Sequence, residues 1–284
     1  MGAGKSIMQA RASAARAAAR AGVRMQTLGP TARSVACERF LCEVWRTDPD
    51  RPPIPADVIT AIADAGNYVV GALDETDGLL AAAIGLWGPP GRPVMHSHIA
   101  GVHAAARGRD VGFALKLDQR AHALENGGAQ ITWTFDPLVA RNAHFNLRKL
   151  AGTADEYLVD HYGRLSDGVN GTDDSDRLLL RWDLLAAPVR AACDEGVRRV
   201  PAVPTPRARL IADGDRPVPC PADDETVLVA VPADIEDLRR RDPAAARDWR
   251  LAVRDALGGL LADGARLVDF DRSAGGYVLT RGER

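Results

Sequence analysis

The sequence predicts an α/β (α+β) fold that carries a smaller α/β unit at its C-terminal end. Three observations predict it. From residue 23 to residue 184 the hydrophobic spacing switches repeatedly between the period of strands and that of helices. Seven prolines then crowd residues 185–224 (Pro188, Pro201, Pro204, Pro206, Pro217, Pro219, Pro221) and read as a surface connector, because proline fixes φ and donates no hydrogen bond. From residue 225 strand and helix patterns resume. With 284 residues, 46% of them hydrophobic, the chain can fill one large core or two modest ones.

Residues 1–22 read as a basic, weakly helical and flexible leader. Arg16, Arg20 and Arg24 form one stripe, but the opposite face is nearly all alanine, which is too little apolar surface for a membrane anchor. The opening Met1-Gly2-Ala3-Gly4-Lys5-Ser6 matches a myristoylation pattern and the tail of a phosphate loop. Both matches are short, and no strand precedes the second. Val23–Leu28 reads as a strand, and Ala32–Trp45 as a helix with Phe40, Leu41, Val44 and Trp45 at helical spacing. Ala56–Ala65 is a second helix, with Pro55 at its start and Gly66 past its end. Tyr68–Leu73 and Leu79–Trp87 form a hairpin about Asp74–Gly78. Val94–Val102 is a strand, Phe113–Glu125 a helix, Ala129–Phe135 a strand, Arg141–Leu150 a helix and Arg177–Leu184 a strand. In the last unit, strand Thr226–Val231 precedes helical segments from Asp234 and Pro243, the second capped by Asp242 and ended by Gly264. Trp249, Val253, Leu257 and Leu260 make its buried stripe, and Ala265–Phe270 with Tyr277–Thr280 close the chain as a hairpin.

The charge balance of 36 basic against 38 acidic residues argues against a nucleic-acid binder, and no window is long and apolar enough to span a membrane. Cys37, Cys42, Cys193 and Cys220 form no CxxC pair; with no export signal, reduced thiols in a cytoplasm are expected.

One stretch carries chemistry: Ile99-Ala-Gly-Val-His-Ala-Ala-Ala-Arg-Gly-Arg-Asp-Val-Gly112. An apolar strand runs into a small-residue loop with two arginines, and a helix follows. Such a junction exposes unpaired backbone N–H groups at the positive end of a helix dipole, a ready site for a pyrophosphate. Arg107 and Arg109 can add charge-assisted bonds. A tight turn bearing solvated arginines fits the same residues.

Val102–Gly112 resembles the acyl-CoA-binding signature of the GNAT N-acyltransferase superfamily, Arg/Gln-x-x-Gly-x-Gly/Ala after a strand. Thr132-Trp-Thr-Phe-Asp-Pro-Leu138, Arg141-Asn-Ala-His-Phe-Asn146 and Tyr162-Gly163 are similar to a bacterial branch associated with N-acylamino-acid racemases. The resemblance covers about residues 20–184, and residues 226 onward more loosely. It implies a mixed, mostly antiparallel sheet whose strands Val94–Val102 and Ala129–Phe135 run parallel and splay apart. It further implies an acyl-CoA cosubstrate, acetyl-CoA or succinyl-CoA, and transfer to a small amine such as an amino acid. Ile99, Gly101 and Val102 would pair with the pantetheine arm. Arg107, Gly108, Arg109, Asp110, Val111 and Gly112 would hold the pyrophosphate, and Asn142 would meet the pantetheine.

Two positions depart from that pattern. Asp110 stands where the signature has glycine, and its charge near a pyrophosphate costs on the order of 3 kcal/mol at roughly 5 Å and an effective dielectric of about 20. A degenerate domain with weak or no CoA binding is the alternative this raises. The tyrosine that many GNAT enzymes carry late in the helix after Asn142 is absent; Leu147-Arg148-Lys149-Leu150 stands there, and Tyr157 or Tyr162 could replace it. His98 and Asp136 are the candidate bases and Tyr162 the candidate acid. His96, His98 and His103 lack a cysteine or carboxylate at ligand spacing, so no metal is expected. Trp133 and Phe135 share a face and suit either a pocket wall or plain core. The C-terminal unit could extend the first sheet, cover the acceptor pocket or form a homodimer contact.

Overall fold

The alanines of the leader decide its structure. In the computed structural model, which describes residues 3–29, 31–165, 167–171, 173–196 and 202–281, they lie in a helix, α1 (Ala3–Ala21). It is followed by β1 (Arg24–Thr27), α2 (Thr31–Trp45), α3 (Ala56–Asp64), β2 (Tyr68–Leu73), β3 (Leu79–Trp87), β4 (Val94–Val102), α4 (Val111–Glu125) and β5 (Gln130–Phe135). Next come α5 (Ala140–Ala143), which continues as a π-helical turn His144–Lys149, then β6 (Thr153–Leu158), β7 (Arg177–Asp183) and α6 (Ala187–Arg190). The chain closes with β8 (Arg207–Asp213), β9 (Arg216–Pro219), β10 (Thr226–Ala230), α7 (Ile235–Arg241), α8 (Pro243–Val253), α9 (Gly259–Ala262), β11 (Arg266–Asp271) and β12 (Gly276–Thr280). Two units emerge: Met1–Trp133 with Asp183–Gly196, and Thr134–Trp182 with Val197–Arg284. The division falls inside residues 23–184 and not at the proline-rich stretch.

In the first unit β1, β2, β3 and β4 pair antiparallel in that order, and β5 joins β4 in parallel. The strands and the Phe40–Leu41 face of α2 bury one core with Ile54, Ile59, Val69 and Ile84. Helix α4 is buried nearly all round, because the sheet covers one side of it and α1 the other. The flexible-leader expectation is corrected here. Ala10, Ala14, Ala17 and Ala21 recur every three or four residues, are buried, and with no bulk beyond Cβ let the two helix backbones approach closely. Arg11 adds ion pairs to Asp118, at 3.2 Å, and to Glu125. Met1 and Gly2, with the myristoylation match, lie outside the described residues.

In the second unit β6 and β7 pair antiparallel, and a five-stranded sheet runs β11-β12-β10-β8-β9. Asp234 and Asp242 cap α7 and α8 by accepting from the Asp237 and Ala245 N–H groups, at 3.0 and 2.9 Å. The connector reading of residues 185–224 needs correction. It contains α6 and the β8–β9 hairpin, whose prolines 217 and 219 sit on the edge strand, where a missing donor costs least. Strand β6 escaped prediction because its only buried residue is Ala154; Asp155 and Glu156 give it the look of a loop.

Candidate functional site

Strands β4 and β5 pair at Val94–Gln130, Met95–Ile131 and His96–Thr132, and there the pairing ends. β4 runs on to Val102 with β3 as its partner, so the two parallel strands open into a fork. A bulge marks the same place. Register passes from Ile84–Ile99 to Gly85–Ser97, which leaves His98 as the extra residue of β4. The bulge reverses which side chains face which helix layer. Ser97, before it, meets Lys116 of α4, whereas a Cβ on Gly101, after it, would lie 2.9 Å from Val44 Cγ1 of α2. Ile99 packs with the α2 core, and Val102 turns toward Gly112 at the start of α4.

The loop beyond β4 is held by His103. Its Nδ1 accepts from the Ala105 N–H at 3.2 Å, which places the ring proton on Nε2, 2.9 Å from the Glu43 carboxylate. A tight turn at Ala104–Ala106 follows, then Gly108 at φ +79° and Asp110 at φ +62°, ψ 14°. Both are left-handed conformations, which glycine adopts at no steric cost and aspartate does not. Asp110 thus departs from the signature in charge and in backbone preference, yet it keeps the backbone path a glycine would take. Its side chain makes no capping bond to α4. The N–H groups of Val111 and Gly112, in the first turn of α4, have no intrahelical acceptor to meet. Arg109 is turned back toward the Ala21 carbonyl at 3.5 Å, while exposed Arg107 has no ion pair among the described residues.

His98 and His96 stand with ring centroids 6.0 Å apart on the fork. His98 is exposed on the strand, yet enough protein surrounds its ring that desolvation lowers its pKa, which keeps the imidazole neutral. At the closed end of the fork lies a residue the sequence reading passed over. Lys116 Nζ donates to Ser97 Oγ at 2.9 Å and to Gln119 Oε1 at 3.1 Å, and sits 3.8 Å from the centroid of the Trp133 ring. The side chain is buried with no carboxylate partner among the described residues, and desolvation lowers its pKa to about 7. The available signal was slight: a lysine flanked by Leu115 and Leu117.

Asp136, Asn142 and Tyr162 belong to the second unit. Asp136 is corrected as a base. It is buried and takes hydrogen bonds from Arg239 (2.6 Å) and from both terminal nitrogens of Arg250 (3.0 Å each). Burial works against the charge, but the two guanidiniums outweigh it and hold the carboxyl well below the usual carboxylate range, leaving a poor proton acceptor. Asn142 is exposed in α5. The Tyr162 hydroxyl shares a hydrogen bond with Thr134 Oγ1 at 2.9 Å, whereas Tyr157 is committed to Asp176 at 2.7 Å. Cys37 and Cys193 are buried thiols with pKa raised to about 12 by desolvation, and no set of three metal-ligating side chains converges among the described residues.

No family model matches the sequence, and no curated protein matches it either. Among solved structures the chain is similar to a GNAT superfamily phosphinothricin acetyltransferase from Sinorhizobium meliloti in complex with AcCoA, at 15% identity over 56% of this chain and 87% of that one, TM-score 0.44. It is similar to an N-acetyltransferase from Staphylococcus aureus Mu50, at 14% identity over 57% and 98% of the two chains, TM-score 0.43. An acetyltransferase of the GNAT family from Streptococcus pneumoniae is similar at 9% identity over 56% and 98%, TM-score 0.46.

Proposed function

We propose that the first unit binds an acyl-CoA thioester and that the protein transfers the acyl group, acetyl or succinyl, to a small amine. The observation that carries this reading is the fork: β4 loses β5 as a partner after His96–Thr132 and leads into a left-handed loop at the N-terminus of α4. Unpaired strand backbone suits the amides of a pantetheine arm, and the α4 terminus with Arg107 suits its pyrophosphate. Ile99, Gly101 and Val102 are the strand positions of that reading, and residues 107–112 the loop positions. The resemblance of the signature region to acyl-CoA binders supports the ligand class, and the racemase-associated motifs favour an amino acid as acceptor.

The chemistry follows from charge. The amine must lose a proton before it attacks, and neutral His98 is the base that takes it, directly or through a water. The amine nitrogen then adds to the thioester carbonyl, and backbone N–H groups along β4 stabilise the oxyanion. The C–S bond breaks, and CoA leaves as a thiolate that takes up a proton.

Isothermal titration with CoA, acetyl-CoA and succinyl-CoA tests the reading. Saturable heat that falls with Arg107→Ala is expected; no heat at millimolar ligand overturns it.

A further inference from the structure

Lysine is scarce in this chain: of 36 lysines and arginines only Lys5, Lys116 and Lys149 are lysines. An arginine cannot become a neutral nucleophile in a protein, but a lysine can. The middle one of the three occupies a singular place. Ser97 is the first residue of β4 beyond its last pair with β5, and Trp133 is the first of β5. Lys116 Nζ touches both, 2.9 Å from Ser97 Oγ and 3.8 Å from the Trp133 ring centroid, so the amine bridges the apex where the strands part.

We propose that Lys116 is a self-acylation site that takes the acyl group from a thioester bound in the fork. The inference rests on the acyl-thioester reading above and adds to it a covalent product on the protein. Reach supports it. From Val102, beside the pyrophosphate loop, back to Ser97 is five residues, or about 17 Å at roughly 3.3 Å each. An extended pantetheine arm anchored at that loop covers such a span, which brings its thioester to the apex. Burial supports it too. Among the described residues no charged side chain pairs with Nζ; it meets Ser97 from β4, Gln119 from its own helix and Trp133 from β5. Desolvation alone brings the amine to a pKa of about 7, so about half of it is neutral at pH 7. An ordinary exposed lysine is neutral in only about one molecule in 2,500 at that pH.

The step balances. The Nζ lone pair attacks the thioester carbonyl carbon, the C–N bond forms and the C–S bond breaks. CoA departs as a thiolate and takes the proton that Nζ sheds. The product is a neutral amide whose remaining N–H can still donate to Ser97 Oγ. It also replaces a partly charged group in an apolar site, where charge is costly.

The test incubates the full-length protein with acetyl-CoA and no amine acceptor, then reads intact mass and maps the modified peptide. One acetyl group per chain on Lys116 is expected, forming roughly tenfold faster at pH 8 than at pH 6 as the neutral fraction rises. Lys116→Arg and Lys116→Met should take up none at this peptide and still bind CoA by titration, with thermal melts confirming that each folds. CoA binding without acetyl on wild-type Lys116 overturns this inference alone, as does acetylation of Lys5 and Lys149 at the same pace. Absence of CoA binding overturns it together with the functional reading.

Discussion

Arg250 meets both oxygens of Asp136, Nη1 to Oδ1 and Nη2 to Oδ2, each at 3.0 Å. This bidentate pair is the centre of a buried group in the second unit that Arg239 and Asp173 complete. A carboxylate so placed holds structure and does no proton transfer.

Asp136→Asn should therefore destabilise the protein by about 3–5 kcal/mol, since two buried guanidiniums lose the charge that offsets their desolvation. Urea denaturation measures it. The native carboxyl titrates below its unfolded value of about 3.9, so its contribution is complete above that pH and is lost as pH falls beneath it. Melting temperature followed from pH 6 down to pH 3 should drop more steeply for wild type than for Asp136→Asn.

Asp110→Gly should tighten CoA binding by about tenfold, the part of the Coulomb repulsion that survives solvent exposure. Thermal stability should move little. Relief of a left-handed aspartate gains about 1 kcal/mol, and the added chain freedom of glycine takes back a comparable amount. Titration and a melt on the same sample separate the two effects; an unchanged affinity would place the carboxylate away from the ligand.

The positions of these residues were legible in sequence to very different degrees. Strands β2, β3 and β4 were readable to the residue, because turn residues bound each apolar run: Gly66 before, Asp74–Gly78 between, Gly91 and Pro93 ahead of β4. The Asp242 cap and the Trp249–Val253 stripe of α8 were readable for the same local reason. The docking of α1 was not, since a face of alanines has too little apolar bulk to tell a docked helix from a solvated one. The fork's place followed from a resemblance, but the bulge at His98 and the lysine at its apex depend on which face each residue takes, and a sequence period cannot register a single inserted residue.

The acid limb of the rate should lie below pH 6.5. His98 is held neutral by desolvation, so its folded pKa sits under the ordinary histidine value and the base is available until pH falls through it. His98→Gln should abolish that limb in a plot of log kcat/KM against pH and lower the plateau by about 10²–10⁴-fold. A plateau within twofold of wild type would remove His98 from catalysis.

Gly101→Ala should cost about 1–3 kcal/mol. The added methyl would lie 2.9 Å from Val44 Cγ1 in an occupied core, and either β4 or α2 must shift. Chemical denaturation reads the loss, and Val44→Ala in the same chain should recover part of it.

The single extra residue at position 98 is absorbed within one rung of the sheet. It lets Ser97 look toward α4 while Ile99, two positions on, looks toward α2. Excising it would leave both on the sides they hold now and set them next to each other opposite Gly85 and Ile84, an unbroken ladder with β3. One codon thus decides whether β4 is kinked or straight at the point where it leaves β5.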